Sequence, residues 1–68
     1  MKKGDMVMFT DKGVYSKWFF GHLATVVRYT VHPWSGNASC RVQWLQPVPY
    51  HDDHATISDF SADKFKVV

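Results

Sequence analysis

Glutamate is absent from the sequence, and cysteine occurs only once, at Cys40. A single cysteine excludes a disulfide within the chain, which indicates a reducing environment. The six aspartates are the only acidic side chains, and their spacing does not indicate the paired carboxylates of an acid/base catalyst. A glycine-rich phosphate loop and a Ser-His-Asp arrangement are also missing. We therefore expect a protein that is not an enzyme, with no catalytic residues and no cofactor.

Long apolar segments are missing as well. No stretch approaches the ~20 apolar residues that a membrane-spanning helix needs, and residues 1–5 lack the apolar region of a signal peptide. We therefore expect a cytoplasmic protein with no transmembrane segment.

An excess of charge of one sign is also lacking, because eight Lys and Arg oppose six Asp and the net charge is only +2. That balance does not by itself indicate a nucleic-acid partner.

Aromatic surface is what the sequence has in abundance. Hydrophobic residues make up 46% of the chain and aromatic residues 16%. This content is enough for 68 residues to fold as one domain, 1–68, without disulfides or a structural metal. So many aromatic residues in so small a domain are also compatible with a homodimer that forms through an exposed apolar patch.

The clearest strand lies in the middle of the chain. In it, Cys40, Val42 and Trp44 alternate with Arg41 and Gln43, which is the period of a half-buried strand. Because Cys40 shares its face with Val42 and Trp44, the pattern predicts a small buried side chain and not a nucleophile.

Four more strands are predicted around this one. In the first, Val7 and Phe9 lie on one face. The second is dense in β-branched residues on both faces, and a β-bulge would account for that pattern. Pro47 and Pro49 are expected to end the central strand, because proline donates no backbone N–H. The predicted strands span residues 6–10, 23–30, 39–45, 55–58 and 65–68.

Two connections complete the fold prediction. A long loop at residues 14–22 carries four aromatic side chains, among them Trp18 and Phe19, and so much apolar surface does not stay in water. The loop either folds back over one mouth of a barrel or forms a binding face. A short 3₁₀ turn at residues 61–64 precedes the last strand. Five short strands connected in this way predict an all-β fold, a small SH3-like barrel.

One segment contains metal-ligating residue types. Residues 51–54 read His-Asp-Asp-His, and imidazole and carboxylate groups bind transition metals. Because no second pair of such residues lies nearby in the sequence, we expect a solvated turn and no metal.

Basic and aromatic residues form the other candidate site. Arg28 and Arg41 are predicted on neighbouring antiparallel strands, Lys17 lies beside Trp18 in the aromatic loop, and Trp34 lies in the turn at residues 31–38. Cations interleaved with aromatic rings could bind an acidic protein surface or a single-stranded nucleic acid.

Five short motifs follow one another along the chain. They are Gly-x-x-Val, Tyr-x-x-Trp-Phe, Val-x-aromatic, Val-x-Tyr and Phe-x-Ala-Asp-x-Phe, at residues 4–7, 15–19, 42–44, 48–50 and 60–65. Their order, followed by a terminal Val-Val, resembles the PsaE family of photosystem I reaction centre proteins. The variable chain of ferredoxin–thioredoxin reductase is similar in its opening and its end. The resemblance spans nearly the whole chain and implies an SH3-like barrel.

The resemblance also implies a function. Members of the PsaE family are non-enzymatic, carry no cofactor, and help to dock ferredoxin onto photosystem I at the stromal side of the photosynthetic membrane. The family has a basic residue in the third strand where this chain has Gln43, and Arg41 on the same face would substitute for it. A diverged relative encoded by a phage of a photosynthetic host would combine these matches with this departure.

We therefore expect a protein-interaction module whose partner is ferredoxin or a photosynthetic complex. A nucleic-acid-binding barrel of the KOW or Tudor type is the alternative, although the mild charge favours it less. A regulatory subunit of a ferredoxin-dependent reductase is the third possibility. The expected partner-binding residues are Lys17, Trp18, Arg28, Trp34, Arg41 and Gln43.

Overall fold

One antiparallel sheet of five strands accounts for most of the molecule. The computed structural model describes all residues, 1–68, and confirms the all-β prediction. The order of the strands in the sheet is β4-β3-β2-β1-β5. The strands are β1 (Met6–Phe9), β2 (Leu23–Val31), β3 (Ala38–Tyr50), β4 (Asp53–Ser61) and β5 (Phe65–Val67).

The inward-facing side chains of these strands form the core. Val7 and Phe9 of β1 are fully buried on one face, as their alternation predicts. Cys40 is also buried on the inward face of β3, which confirms the prediction of a small buried side chain. The core contains no buried polar residue and consists of Val7, Phe9, Phe19, Ala24, Val26, Cys40, Val42, Trp44, Val48 and Phe65.

Trp44 connects three parts of this core. Its ring stacks on Phe19 with a centroid distance of 4.9 Å and an interplanar angle of 16°. Its indole N–H donates a hydrogen bond to the Ser58 hydroxyl of β4 at 2.9 Å. Phe9 of β1 lies against the same ring, with centroids 6.4 Å apart. A large aromatic side chain is thereby buried with its one polar atom satisfied.

The aromatic loop after β1 folds back onto the core. It contains a one-turn helix, α1 (Ser16–Phe19), which has no side-chain hydrogen bond at its N-cap. So short a helix is not stable by itself, and the burial of Phe19, which is only 2% exposed, holds it in place. The loop was expected either to fold back or to form a binding face, and its Phe19 packs over the core.

A β-bulge changes the outward face of β2. Val26 pairs with Val42, but Arg28 pairs with Arg41, so the register shifts between Val26 and Arg28. Val27 is the extra residue of this bulge. The blurred alternation is explained by a bulge but does not locate it. The extra residue moves every later side chain of β2 to the opposite face. Arg28 therefore points away from the core, on the outward side that Arg41 occupies.

The predicted end of β3 at its prolines is wrong. β3 continues through Pro47 and Pro49 to Tyr50. Pairing with β2 stops at Trp44, and the register with β4 shifts between Gln43 and Val48. Beyond Trp44 one side of β3 is therefore an edge, where a missing N–H breaks no ladder hydrogen bond.

The fourth strand is correspondingly longer than predicted. It spans Asp53–Ser61 instead of residues 55–58, because the extension of β3 provides a partner for its first residues. His54, expected in a polar loop, pairs with Pro49. Only His51 and Asp52 remain in the connecting turn, and His51 there adopts a left-handed backbone with φ of 55°.

The last connection is a 3₁₀ turn at Ala62–Lys64, as predicted. The Lys64 carbonyl accepts hydrogen bonds from the N–H groups of Thr10 and Asp11, at 2.9 and 3.3 Å. The Lys64 ammonium lies 3.4 Å from the Asp11 carboxylate. These contacts attach the turn to the segment that follows β1. Neither helical segment has the length or hydropathy of a membrane-spanning helix.

Two adjacent phenylalanines test the packing of α1. Phe19 is 2% exposed and Phe20 is 50% exposed. We expect Phe19→Ala to lower the free energy of unfolding by about 3–5 kcal/mol, because it leaves a cavity beneath Trp44. Phe20→Ala should cost at most about 1 kcal/mol. Urea unfolding followed by tryptophan fluorescence measures both, and equal losses would contradict the packing role of Phe19.

Candidate interaction face

The outward side of the β2–β3 hairpin and the adjoining part of β4 carry a cluster of polar side chains. Arg28 pairs with Arg41 and Thr30 with Ser39 across the hairpin, and Arg41 pairs in turn with Asp59 of β4. We call this cluster the hairpin face; it consists of Arg28, Thr30, His32, Ser39, Arg41 and Asp59.

Arg41 and Asp59 form the one salt bridge on this face. The Arg41 Nε donates to Asp59 Oδ1 at 2.9 Å, and Nη2 donates to Oδ2 at 3.2 Å. This two-point hydrogen bond from Arg41 holds the pKa of Asp59 below its ordinary value, and the positive charges of Arg41 and Arg28 act in the same direction. The hydrogen bond to Asp59 raises the pKa of Arg41. Both side chains are largely exposed, so the pair contributes little to stability.

Arg28 is the arginine of the hairpin face that forms no salt bridge. Salt bridges form between Arg41 and Asp59 and between Lys64 and Asp11, and Arg28 takes part in neither. Like charges directly opposite each other on paired strands are destabilising, and of this pair only Arg41 has a carboxylate partner. The hairpin face keeps one net positive charge.

Trp34 lies at the tip of the same hairpin and is 99% exposed. The turn around it is held by backbone hydrogen bonds, from the His32 N–H to the Asn37 carbonyl at 2.8 Å and from the Gly36 N–H to the His32 carbonyl at 2.9 Å. Gly36 supplies the positive φ of 74° that this turn requires. An indole is thus presented to solvent on an ordered turn, without packing on its own chain.

Gln43 continues the outward face of β3 beyond Arg41. It pairs with Thr25 of β2 and with Ile57 of β4. Gln43 and Ile57 are both exposed. The surface beside the charged cluster is therefore uncharged and partly apolar.

Lys17 and Trp18 belong to a different part of the molecule. Trp18 packs edge-to-face on Tyr50 with centroids 4.9 Å apart, and the Lys17 ammonium lies 4.2 Å from the centre of the Trp18 ring. This cluster precedes β2, whereas the turn with Trp34 follows it. Nine residues of strand at ~3.3 Å each separate the two ends of β2 by roughly 25 Å. The six expected partner-binding residues therefore divide into Arg28, Trp34, Arg41 and Gln43 on the hairpin and Lys17 and Trp18 on α1.

The histidine-aspartate segment does not assemble into a metal-binding cluster. No group of three or more His, Cys, Asp or Glu side chains in residues 1–68 converges closely enough to hold an ion. The His51 ring instead lies against Tyr50 and Trp18, with centroid distances of 4.2 and 5.1 Å.

Cys40 offers no reactive thiol. It lies in the core, and burial, with a smaller effect from the Asp59 carboxylate, raises the pKa of its thiol. A thiol in this environment is a poor nucleophile, since the thiolate is the reactive form.

Four members of the hairpin face are not among the residues that the sequence predicts: Thr30, His32, Ser39 and Asp59. Residues 28, 30 and 32 alternate with apolar or aromatic neighbours, and this alternation could have indicated Thr30 and His32. Asp59 has no comparable signal, because its position beside Arg41 depends on the pairing of β3 with β4.

No family model, curated protein or solved structure matches the chain at a significant level. The face is therefore interpreted from its own side chains.

The Arg41–Asp59 pair predicts a specific pH response. Because the pKa of Asp59 is lowered in the folded state, its stabilising effect is present above the pKa of the unfolded chain and is lost as pH falls through the folded value. Arg41→Gln should raise the Asp59 pKa towards the ordinary aspartate range. NMR of the side-chain carboxyl carbons measures the change, with Asp63 as the internal reference. An unchanged Asp59 midpoint would contradict the pairing.

Burial of Cys40 predicts slow alkylation of the native protein. Iodoacetamide should modify the folded chain much more slowly than the chain in urea, because the thiol is both inaccessible and protonated. Mass spectrometry of timed samples measures both rates. Equal rates would show that the core around Cys40 is open.

Proposed function

We propose that this chain is a small SH3-like barrel that acts as a non-enzymatic protein-interaction module. The strand order β4-β3-β2-β1-β5 supports a barrel, because its two outermost strands follow each other in the chain. The short 3₁₀ turn at Ala62–Lys64 joins them. The packing of α1 over the core supports a closed end to such a barrel.

The proposed contact surface is the hairpin face together with Gln43 and Trp34. Its partner is an acidic redox protein of the ferredoxin type, as the resemblance to the PsaE family implies. Arg28 provides the positive charge that attracts the partner, and Trp34 provides an aromatic anchor. Exposed aromatic and arginine side chains are the residue types that contribute most to binding at protein interfaces.

The observation that carries this proposal is the position of Arg28. A bulge turns its side chain outward, directly opposite Arg41, and no carboxylate forms a salt bridge with it. This arrangement costs stability in a small domain. Departures from the pattern that favours folding tend to occur where a surface binds something.

Nucleic acid is the second candidate partner, and Trp34 is the observation that favours it. A fully exposed indole on the same hairpin as two arginines can stack on an unpaired base. The single net positive charge of the hairpin face favours it less, because nucleic-acid-binding domains use many phosphate contacts.

Titration of the ¹⁵N-labelled protein with a plant-type ferredoxin tests the proposal. We expect chemical-shift changes at the hairpin face and at Gln43 that weaken as salt rises past about 0.1 M, where charges beyond ~10 Å are screened. Arg28→Gln should weaken binding about three- to tenfold. Lys17→Gln should have a smaller effect, because Lys17 lies on a different part of the surface.

Lys12→Gln is the matched control, since it removes the same charge from an exposed position that forms no salt bridge. Its binding should stay within about twofold of the unmodified protein. No shift at any salt concentration would rule out ferredoxin as the partner. Equal effects of Arg28→Gln and Lys12→Gln on binding would mean that ferredoxin is attracted by the overall positive charge and not by Arg28 specifically.

A further inference from the structure

The hairpin face contains a depression of about 220 Å³ that the proposed function does not require. It lies between the outward side chains of β2 and β3 and is bordered by β4. Six of its seven lining residues are polar: Arg28, Thr30, His32, Ser39, Arg41 and Asp59.

The residues around this depression carry more hydrogen-bond donors than the Asp59 carboxylate uses. The two oxygens of a carboxylate lie in one plane, and those of Asp59 accept two hydrogen bonds from Arg41. The residues that line the depression carry two guanidinium groups, two hydroxyls and an imidazole, and they come from both sides of the hairpin. A phosphate group has several oxygens in a tetrahedral arrangement and can accept hydrogen bonds from such a set.

Two of the side chains that line the depression already contact each other. The Ser39 hydroxyl lies 3.3 Å from the His32 Nε2, within hydrogen-bonding distance. The backbone of His32 is held by its hydrogen bonds to Asn37 and Gly36 across the hairpin turn. Because this contact restricts both side chains, ordering them around a ligand would cost less free energy than ordering two independent side chains.

Asp59 occupies the position of an anion within this set. Its carboxylate accepts hydrogen bonds from two N–H groups of Arg41, while Arg28 has no carboxylate partner. An entering anion would bind first at Arg28 and would compete with Asp59 for Arg41. Asp59 is thus expected to reduce the affinity of the site for anions.

We propose that the depression on the hairpin face is a binding site for a phosphate group, free or carried by a nucleotide. Arg28 is its principal cation, Arg41 its second, and the Thr30 and Ser39 hydroxyls contribute hydrogen bonds. This site does not depend on the protein partner proposed above. The fully exposed Trp34 on the same hairpin offers a surface on which the base of a nucleotide could stack.

Titration of the labelled full chain with inorganic phosphate, at constant ionic strength maintained with chloride, tests the site directly. We expect saturable shifts of the Thr30, Ser39 and Arg41 amides, and weaker shifts with acetate. Arg28→Gln should weaken phosphate binding about tenfold, because it removes a charge-assisted hydrogen bond. Arg28→Lys keeps the charge but loses the planar guanidinium, so its affinity for phosphate should lie between that of the unmodified protein and that of Arg28→Gln.

Asp59→Asn gives the sharpest test, because the expected effect is a gain. Releasing Arg41 from its internal carboxylate should tighten phosphate binding about threefold or more. A purely structural role for the Arg41–Asp59 pair predicts no gain. Lys12→Gln again serves as the control and should stay within about twofold.

Two ligands separate the sources of the phosphate group. If adenosine monophosphate binds more tightly than inorganic phosphate, and Trp34→Ala removes only that advantage, the ligand is a nucleotide. Equal binding of both, unchanged by Trp34→Ala, assigns the site to phosphate alone.

The proposal is overturned if phosphate produces no saturable shift on the hairpin face. It is also overturned if Arg28→Gln and Lys12→Gln weaken binding equally, or if Asp59→Asn fails to strengthen it. Because no protein partner is present in this experiment, a negative result would not bear on ferredoxin docking, which the ferredoxin titration tests separately.

Discussion

The indole of Trp44 is the group on which the rest of the fold depends. It stacks on Phe19, donates a hydrogen bond to Ser58 and lies against Phe9, so it joins α1, β4 and β1 through a single side chain of β3. A 68-residue domain has few large residues with which to exclude water from its core. The stacking of Phe19 on this indole holds the aromatic loop in place, and the loop covers the core.

The bulge between Val26 and Arg28 determines what the surface presents. It leaves Val26 in the core and turns Arg28 to the outside. Residues Thr30 and His32 follow on the same outward side, where they meet Ser39 and the outward residues of β3. Without the extra residue the second half of β2 would be reversed, and its arginine would point into an apolar interior. One irregularity therefore serves both the core and the candidate interaction face.

The prolines of β3 show where reasoning from local preference fails. Such reasoning ends the strand at Pro47 and Pro49 because they cannot donate to a ladder, yet β3 continues to Tyr50. That prediction treats both sides of the strand as paired. In the fold β2 no longer accompanies β3 beyond Trp44, and the neighbour that remains is β4. Which strands lie beside a residue is a long-range property that its own sequence does not contain.

The sequence by itself determined that there are five strands, the shared face of Val7 and Phe9 and the burial of Cys40, because a two-residue period identifies the buried side of a strand wherever one face is apolar. It also placed Arg28 and Arg41 on neighbouring antiparallel strands. Only the tertiary structure decided that Asp59 forms a salt bridge with Arg41 and not with Arg28, and that Trp18 packs on Tyr50 at the end of β3. The reason is physical: these relations depend on the register between strands distant in the chain, and register is set by the packing of the whole core.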